Sequence, residues 1–598
     1  MRQPDVSALA NASRELLSQG DPVGAERVLS PVFNQLKLDP SVLHLMGLIK
    51  QAQNQLEAAE RHFRAAIAYS FSQGEYYNDL GVVLQARGAY DEAAKVFRAA
   101  LALMPGAPIV RVNLVQCLIA RGDYAEAEAE ARGFIASRPG PDGWSLLAQV
   151  QRSMERHEDA LASAATALNL APQERNLRFN HAVALERVGR VKEALEQYQR
   201  LALKQIDTPD LALAYARALY ADNQKQEAEN VLQQSVLQFA TVTALHNHLA
   251  RMRALRGEGP NAAASMEAEI LRRPGDIGLR MACADALHRA EQPNKALRVL
   301  EEALAVAPDT PALLTAYGVV LEELNRPKEG LAALRRALAL TREKRLGQRN
   351  LLSTLLRAGE PEEALRLAQG LRKDDPHEQY LIACEATALR LLNDPGYRAL
   401  YDYERLVRSY EIPAPRGFFT AENFNASLAD TLRLQHRAAH PLDQALHNGT
   451  QTPRNLLAFE EPNLRAYIGA VDIAIRDYIG RLSSDDPMGA RRSDRYRFNA
   501  LWSVRLSDGG FQHNHVHDRG WISSAYYVAL TPAAQTRDNR AGWLKLGEPN
   551  RAPANCGPEA LVEPKVGTLI LFPSYMWHGV VAFAGAERLS LSFDVTPA

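Results

Sequence analysis

Four histidines near the C-terminus have a spacing that suits a metal site. His513, His515 and His517 follow one another at intervals of two residues, and His578 stands 61 residues beyond His517. Alternate residues of an extended segment share a face, so the first three imidazoles could all point one way. Two such ligands and a distal histidine would hold one face of an octahedral transition-metal ion and leave the opposite face open.

A permanent cation follows the distal histidine. Arg588 stands ten residues after His578, and Ser590 lies two residues further along, on the same face of an extended chain. The planar guanidinium of arginine can bind a carboxylate through two parallel hydrogen bonds, and Ser590 could donate another. The pattern predicts a site for a carboxylate-bearing ligand on this strand.

Five stretches of the region resemble a bacterial group of 2-oxoglutarate/Fe(II)-dependent oxygenases that lie behind tetratricopeptide repeats. The matching stretches are 502–506, 514–517, 520–528, 571–574 and 588–590. The resemblance implies a double-stranded β-helix, or jelly roll, that binds Fe(II) and uses O₂. It also implies that His515, His517 and His578 are the iron ligands.

The same resemblance assigns the cosubstrate site. Arg588 would anchor 2-oxoglutarate, and with the three histidines it completes the expected catalytic set. Ser590 would support Arg588, and Tyr527 lies where related oxygenases place a tyrosine hydroxyl near the cosubstrate. Its neighbour Tyr526 faces the other side of the strand, so only one of the two can do this.

One ligand position departs from the family pattern. The residue two places after the first ligand is usually a carboxylate, and here it is His517. Either the site uses three histidines, or a bulge turns the adjacent Asp518 inward, or His513 pairs with His515 instead. Three neutral imidazoles would leave the iron more positively charged than two imidazoles and a carboxylate.

The elements that must position these residues are short strands. The hydrophobic period is two in five segments separated by turn signals, and these are 501–506, 522–530, 543–546, 568–572 and 589–595. Helices are expected at 419–440 and 462–482, with a polar loop at 447–453 between them. A small jelly roll is therefore predicted, with its β-core at about 495–598.

The preceding chain is periodic. One small residue recurs almost every 34 residues, at Ala25, Ala59, Ala93, Ala127, Ala160, Ala194, Ala228, Ala262, Ala296, Gly330 and Ala364. The residue twelve places before each anchor is small in nine of the eleven cases, and prolines close many of the units. This closely resembles the tetratricopeptide repeat, a helix-turn-helix unit that buries its apolar faces by stacking.

One position of the repeat is often polar. Fourteen residues before the anchor stand Asn11, Asp79, Asn113, Asn180, His248 and Asn350. In tetratricopeptide proteins similar to this one, asparagines at this phase grip the backbone of an extended peptide. The alternative is a scatter of polar residues on a solvated helix face.

The predicted fold class is therefore multidomain, α then β. We expect an all-α tetratricopeptide-repeat solenoid of about eleven repeats at 1–376 and a helical cap or linker at 377–412. An oxygenase-like jelly-roll domain with flanking helices is expected at 413–598.

Composition limits the function classes. The 598 residues carry a formal net charge of −1, so no global basic field favours nucleic acid. The four cysteines contain no CxxC pair, which suits a reducing compartment. The sequence also contains neither the apolar run of a signal peptide nor that of a membrane helix. We expect a cytoplasmic protein without nucleic-acid or membrane partners.

Three functions remain open at this stage. The leading hypothesis is an Fe(II)/2-oxoglutarate-dependent dioxygenase that hydroxylates a peptide or protein held in the repeat groove. The alternatives are a non-catalytic interaction scaffold with a degenerate oxygenase domain, and a cupin-like three-histidine dioxygenase that does not use 2-oxoglutarate. The groove could also take a second copy of the chain, which would make a homodimer.

Overall fold

The chain divides into two compact units. The computed structural model describes residues 6–598 apart from 37, 204, 342–343, 437–445, 453–454, 460, 484–486, 532–539, 554 and 584. The first unit is residues 1–231 and the second is residues 232–598. The second unit contains the later repeats together with the β domain.

Residues 6–221 are helical repeats. Their helices are α1 Val6–Ser18, α2 Pro22–Leu36, α3 Pro40–Ala52, α4 Leu56–Tyr69, α5 Gly74–Ala86, α6 Tyr90–Leu103, α7 Pro108–Arg121, α8 Tyr124–Ser137, α9 Pro141–Ser153, α10 His157–Leu170, α11 Arg175–Arg187, α12 Val191–Ala202 and α13 Pro209–Ala221.

The repeats continue to α22 and three helices follow them. These helices are α14 Lys225–Gln238, α15 Thr243–Leu255, α16 Ala264–Arg272, α17 Ile277–Arg289, α18 Pro293–Val306, α19 Pro311–Glu323, α20 Pro327–Leu340, α21 Arg345–Ala358, α22 Pro361–Arg372, α23 Gln379–Leu391, α24 Gly396–Leu400 and α25 Tyr403–Leu406. The described residues contain 22 helices, α1 to α22, over the periodic part of the chain, which confirms the predicted class of helical repeats followed by a β domain.

The small residues lie where the two helices of a pair cross. A Cβ placed on Gly47 or Gly81 would lie 2.5 Å from the ring of Phe63 or Phe97, the residue four places after the anchor. Both rings are fully buried. The sequence therefore forms tight pairs because a glycine in the first helix makes room for a phenylalanine from the second.

The β domain follows α25. Its elements are β1 Arg408–Glu411, α26 Ala421–Gln435, β2 Leu446–Gln451, α27 Pro462–Gly480, β3 Tyr496–His515, β4 Ile522–Leu530, β5 Leu544–Leu546, β6 Ala560–Val562, β7 Thr568–Pro573, β8 His578–Val580 and β9 Arg588–Pro597. The strands form one curled antiparallel sheet in the order β1-β7-β4-β9-β3-β8-β5-β6, and β2 pairs with β3.

The long strand β3 joins the two parts of this sheet. Its first half pairs with β9, from Tyr496 opposite Pro597 to Leu506 opposite Arg588. Its last residues pair with β8, where His515 lies opposite His578. The arrangement agrees with the predicted jelly roll, and it brings the two histidine-bearing segments together.

The two faces of β9 differ. Leu589, Leu591, Phe593 and Val595 belong to the apolar core, and the ring of Tyr467 in α27 lies 6.4 Å from that of Phe593. The alternate residues are polar and also buried. Helices therefore cover one face of the sheet, and the other face carries buried polar side chains.

Two expectations from the sequence were wrong. The predicted loop at 447–453 forms β2 as far as Gln451, and Pro453 lies outside the described residues. The expected helical stretch 377–412 contains β1, which pairs with β7. Both strands are short and lack an apolar face, so their sequences show no hydrophobic period of two. They form because their backbones pair with a longer strand.

Candidate metal centre

Three of the four histidines converge. One nitrogen from each of His515, His517 and His578 lies within 4.8 Å of the others. His515 ends β3 and His578 begins β8, opposite each other in register. His517 lies two residues beyond the strand, where its backbone N–H donates to the carbonyl of Ser574 at 3.0 Å. The fold itself thus assembles the cluster.

Each imidazole is oriented by an oxygen at its Nδ1. Nδ1 of His515 lies 2.8 Å from the carbonyl of His513, and Nδ1 of His578 lies 2.9 Å from the carbonyl of Met576. Nδ1 of His517 lies 2.6 Å from Oδ1 of Asp594. With the proton at Nδ1, the lone pair at each Nε2 is available for a metal.

The distance between two of these nitrogens suits ligation. Nε2 of His515 and Nε2 of His517 are 3.1 Å apart. Adjacent ligands of an octahedral ion at about 2.1 Å lie about 3 Å from each other. The donor set therefore fits a divalent transition metal.

Burial favours the neutral form of His515 and of His578. Removal from water, together with the neighbouring His517, lowers the pKa of His515 to about 4. Removal from water also holds the pKa of His578 well below its usual range, with His515 and His517 acting in the same direction. Neutral imidazole is the form that binds a metal.

A buried carboxylate lies behind His517. Besides its contact with His517, Oδ1 of Asp594 accepts a hydrogen bond from Ser523 Oγ at 2.7 Å, and Ser523 contacts Ser574 Oγ at 2.8 Å. A Cβ at Gly520 would collide with Ser574 Oγ, so glycine is required there. The sequence reasoning missed Asp594.

A signal for Asp594 was nevertheless present. In the run 588–595 every second residue is polar and the others are apolar. Arg588, Ser590, Ser592 and Asp594 therefore share one face of β9, and all four are buried. Buried polar side chains need hydrogen-bond or charge partners, so a polar face on a buried strand indicates an interior polar site.

Arg588 is buried with few partners. Its Nε donates to the carbonyl of Gly542 at 3.0 Å and its Nη1 donates to Ser590 Oγ at 3.3 Å. Among the described residues no carboxylate forms a salt bridge with it. Desolvation lowers the pKa of Arg588 from its usual range, yet a guanidinium stays charged. A buried cation of this kind requires an anion from elsewhere.

Tyr527 lies beneath this guanidinium. Cζ of Arg588 is 5.1 Å from the centre of the Tyr527 ring. The Tyr527 hydroxyl is buried and has no hydrogen-bond partner in the described part of the chain. Tyr526 faces the other side of β4 and donates to Asn425 in α26 at 2.6 Å. The guanidinium of Arg588 and the hydroxyl of Tyr527 could therefore both donate hydrogen bonds to a bound carboxylate.

The other candidate ligands lie outside the cluster. Asp518 is exposed and forms an ion pair with Arg349 at 2.9 Å. His513 is exposed, and its ring packs against Phe511 at 4.9 Å. Neither contributes an atom to the group formed by His515, His517 and His578.

The C-terminal region matches a known family. A family described as "Putative 2OG-Fe(II) oxygenase" matches residues 500–594, a span that contains the three histidines, Tyr527 and Arg588. Models of the tetratricopeptide repeat match residues 84–150 and residues 44–108, 145–210 and 282–344. The chain therefore contains tetratricopeptide repeats and a C-terminal domain of this oxygenase family.

Solved structures match the helical part at low identity. PilW, a widely conserved type IV pilus biogenesis factor, is 18% identical with a TM-score of 0.31, covering 35% of this chain and 97% of its own. A thermophilic tetratricopeptide protein of Thermus thermophilus is 22% identical with a TM-score of 0.26, covering 30% and 98%. A tetratricopeptide repeat protein of Parabacteroides merdae is 13% identical with a TM-score of 0.28, covering 47% and 98%.

No match was found among curated proteins. In the described residues, no helix is both long and apolar enough to cross a lipid bilayer.

Proposed function

We propose that the C-terminal domain is an Fe(II)/2-oxoglutarate-dependent oxygenase that hydroxylates a peptide or protein substrate recruited by the repeats. The observation that carries the proposal is the pairing of two features in one domain. One ring nitrogen from each of three imidazoles lies within 4.8 Å of the others. A buried arginine, which has no carboxylate partner among the described residues, lies on β9, the strand that pairs with β3. Family membership supports the same reaction.

His515, His517 and His578 would hold the iron. Fe(II) with 2-oxoglutarate and O₂ supplies the oxidation, in which one oxygen atom enters a C–H bond of the substrate and the other enters succinate as CO₂ is released. Arg588 would bind the distal carboxylate of 2-oxoglutarate as a planar fork, with Ser590 and the Tyr527 hydroxyl as further polar contacts. Burial of this pocket excludes water from the carboxylate and fixes its orientation.

Asp594 compensates for the missing ligand carboxylate. The three imidazoles supply no negative charge, but the Asp594 carboxylate lies 2.6 Å from His517 Nδ1. The carboxylate thus places negative charge next to His517, on the side of the ring away from the metal. There it makes His517 a stronger metal ligand. This arrangement supports activity for a site with histidine in place of the usual carboxylate at position 517.

The test is Fe(II)-dependent turnover of 2-oxoglutarate to succinate by the full chain. We expect His578→Ala to abolish metal binding and Arg588→Lys to weaken 2-oxoglutarate binding at least tenfold while metal binding persists. Arg505→Lys is the matched control, because Arg505 lies on β3 and pairs with Glu587 at 2.7 Å. An inert protein that binds no metal would contradict the proposal.

One observation favours a second candidate. Among the described residues, the ligand cluster consists of three histidines and includes no carboxylate. Three histidines are also the ligands in dioxygenases that do not use 2-oxoglutarate. In that case metal binding and O₂ consumption would be unaffected by Arg588→Lys, and added 2-oxoglutarate would have no effect.

A further inference from the structure

A cleft lies beside the metal centre, within the second unit. It has a volume of about 990 Å³, and its walls are α15 and α17 of the eighth and ninth repeats on one side and β2 with the end of β3 on the other. We propose that this cleft binds an extended, uncharged segment of the substrate polypeptide and presents one of its side chains to the metal. The inference rests on the proposed oxygenase function and adds the place and the chemistry of substrate binding.

His513 places the cleft next to the proposed metal centre. The His513 side chain forms part of the cleft wall, and its carbonyl lies 2.8 Å from Nδ1 of the proposed ligand His515. The ring of His447 stacks on Phe511 at 4.9 Å, and Phe511 contacts His513 at the same distance. The cleft wall formed by His447 and His513 is thus supported by Phe511, which stacks on the first ring and meets the second edge-on.

The walls carry groups that bind peptide backbone. Asn247 and Gln292 on the helical side and Asn448 on the sheet side each offer both a donor and an acceptor. His248 has its Nδ1 committed to the carbonyl of Ala244 at 3.0 Å, which leaves Nε2 as an acceptor. A row of neutral donors and acceptors matches the alternating N–H and C=O of an extended chain.

The charges of the walls balance. The lining contains two arginines, Arg251 and Arg289, and two carboxylates, Asp285 and Glu291, and Arg289 pairs with Asp285 at 2.9 Å. A nucleic acid requires a net positive surface to displace its counterions, and this cleft has none. The balance favours an uncharged polypeptide segment over a polyanion.

The eighth repeat is irregular at this cleft. Its second helix begins with a 3-10 turn, Gly259–Asn261, followed by α16 from Ala264. A Cβ on Gly259 would lie 2.8 Å from the carbonyl of Ala290 in the next repeat. Gly257, Gly259 and Pro260 of this segment line the cleft, so the departure from the regular repeat shapes its rim. The volume, near the upper end of the roughly 300–1,000 Å³ of small-ligand pockets, suits a chain segment.

The test uses the full chain with Fe(II), 2-oxoglutarate and an equimolar library of uncharged 15-residue peptides. Succinate formation is measured with and without the library, and oxidised peptides are found as mass increases of one oxygen atom. We expect the library to stimulate turnover. Asn247→Trp, which fills the cleft, should raise the KM for the library about tenfold or more.

The matched control is Asn78→Trp, at the same repeat position in α5. Basal turnover that the library does not stimulate would overturn the inference and leave the oxygenase proposal standing. So would stimulation by an RNA oligonucleotide instead, an unchanged KM in Asn247→Trp, or an equal loss in Asn78→Trp. Absence of any Fe(II)-dependent turnover would instead overturn the oxygenase proposal itself.

Discussion

Asp594 is the carboxylate that supports the proposed ligand His517. Its carboxylate contacts His517 Nδ1 and Ser523 Oγ at 2.6 and 2.7 Å. Asp594→Asn keeps the size and the hydrogen-bonding reach of the side chain but removes its charge. Because residues behind metal ligands typically contribute 10–100-fold to affinity, we expect Fe(II) affinity to fall by about that factor. Anaerobic Fe(II) titration would measure this.

Asp518→Asn is the control for that substitution. Asp518 adjoins His517 in sequence, but it is exposed and pairs with Arg349, so its loss should change Fe(II) affinity less than about threefold, as expected for an exposed ion pair. A larger effect at Asp518 than at Asp594 would mean that the chain rearranges on metal binding and that Asp518 is the ligand.

At the scale of elements, the helix pairs depend on glycine at the crossing point. Gly81→Ala would place a Cβ 2.5 Å from the fully buried Phe97 ring. The overpacking cost of about 1–3 kcal/mol exceeds the gain of up to about 1 kcal/mol from replacing a helical glycine. We therefore expect a net loss of about 1–2 kcal/mol, measured as a lower urea midpoint of helix unfolding.

Gly133→Ala is the matched control in α8. A Cβ at Gly133 meets nothing within 4 Å, so the substitution should raise stability by about 0.5–1 kcal/mol. Equal effects at the two glycines would show that helix propensity, and not the fit against Phe97, determines the result.

The elements also show what sequence could predict. The repeats and the strands β4, β7 and β9 were predictable because their periodicity follows directly from burial. The strands β1, β2 and β8 were not, since they have three to six residues and are specified by pairing with β7 and β3. The convergence of His515 with His578 was predictable only through the family resemblance. The contact between His517 and Asp594 needed the fold, because 77 residues separate them.

At the scale of the second unit, the segment after the last repeats is hydrogen-bonded to the loop that precedes His578. The hydroxyl of Tyr401 donates to the carbonyl of Tyr575 at 2.9 Å and accepts from the N–H of Trp577 at 3.0 Å. The Tyr575 hydroxyl returns to the carbonyl of Leu400, also at 2.9 Å. Met576, which lies between Tyr575 and Trp577, provides the carbonyl that orients His578. The metal centre thus depends on residues outside the sheet.

Tyr401→Phe tests this dependence. The substitution leaves the buried carbonyl of Tyr575 and the N–H of Trp577 without their partner, which costs about 1–3 kcal/mol. Because the loop then loses its anchor, Fe(II) affinity should fall about tenfold, in the range of other residues that orient ligands. Thermal unfolding and anaerobic Fe(II) titration would measure the two effects. Tyr410→Phe is the control, since its hydroxyl donates to Asp477, away from the loop. A stability loss in Tyr401→Phe with unchanged Fe(II) affinity would show that His578 is positioned by β8 alone.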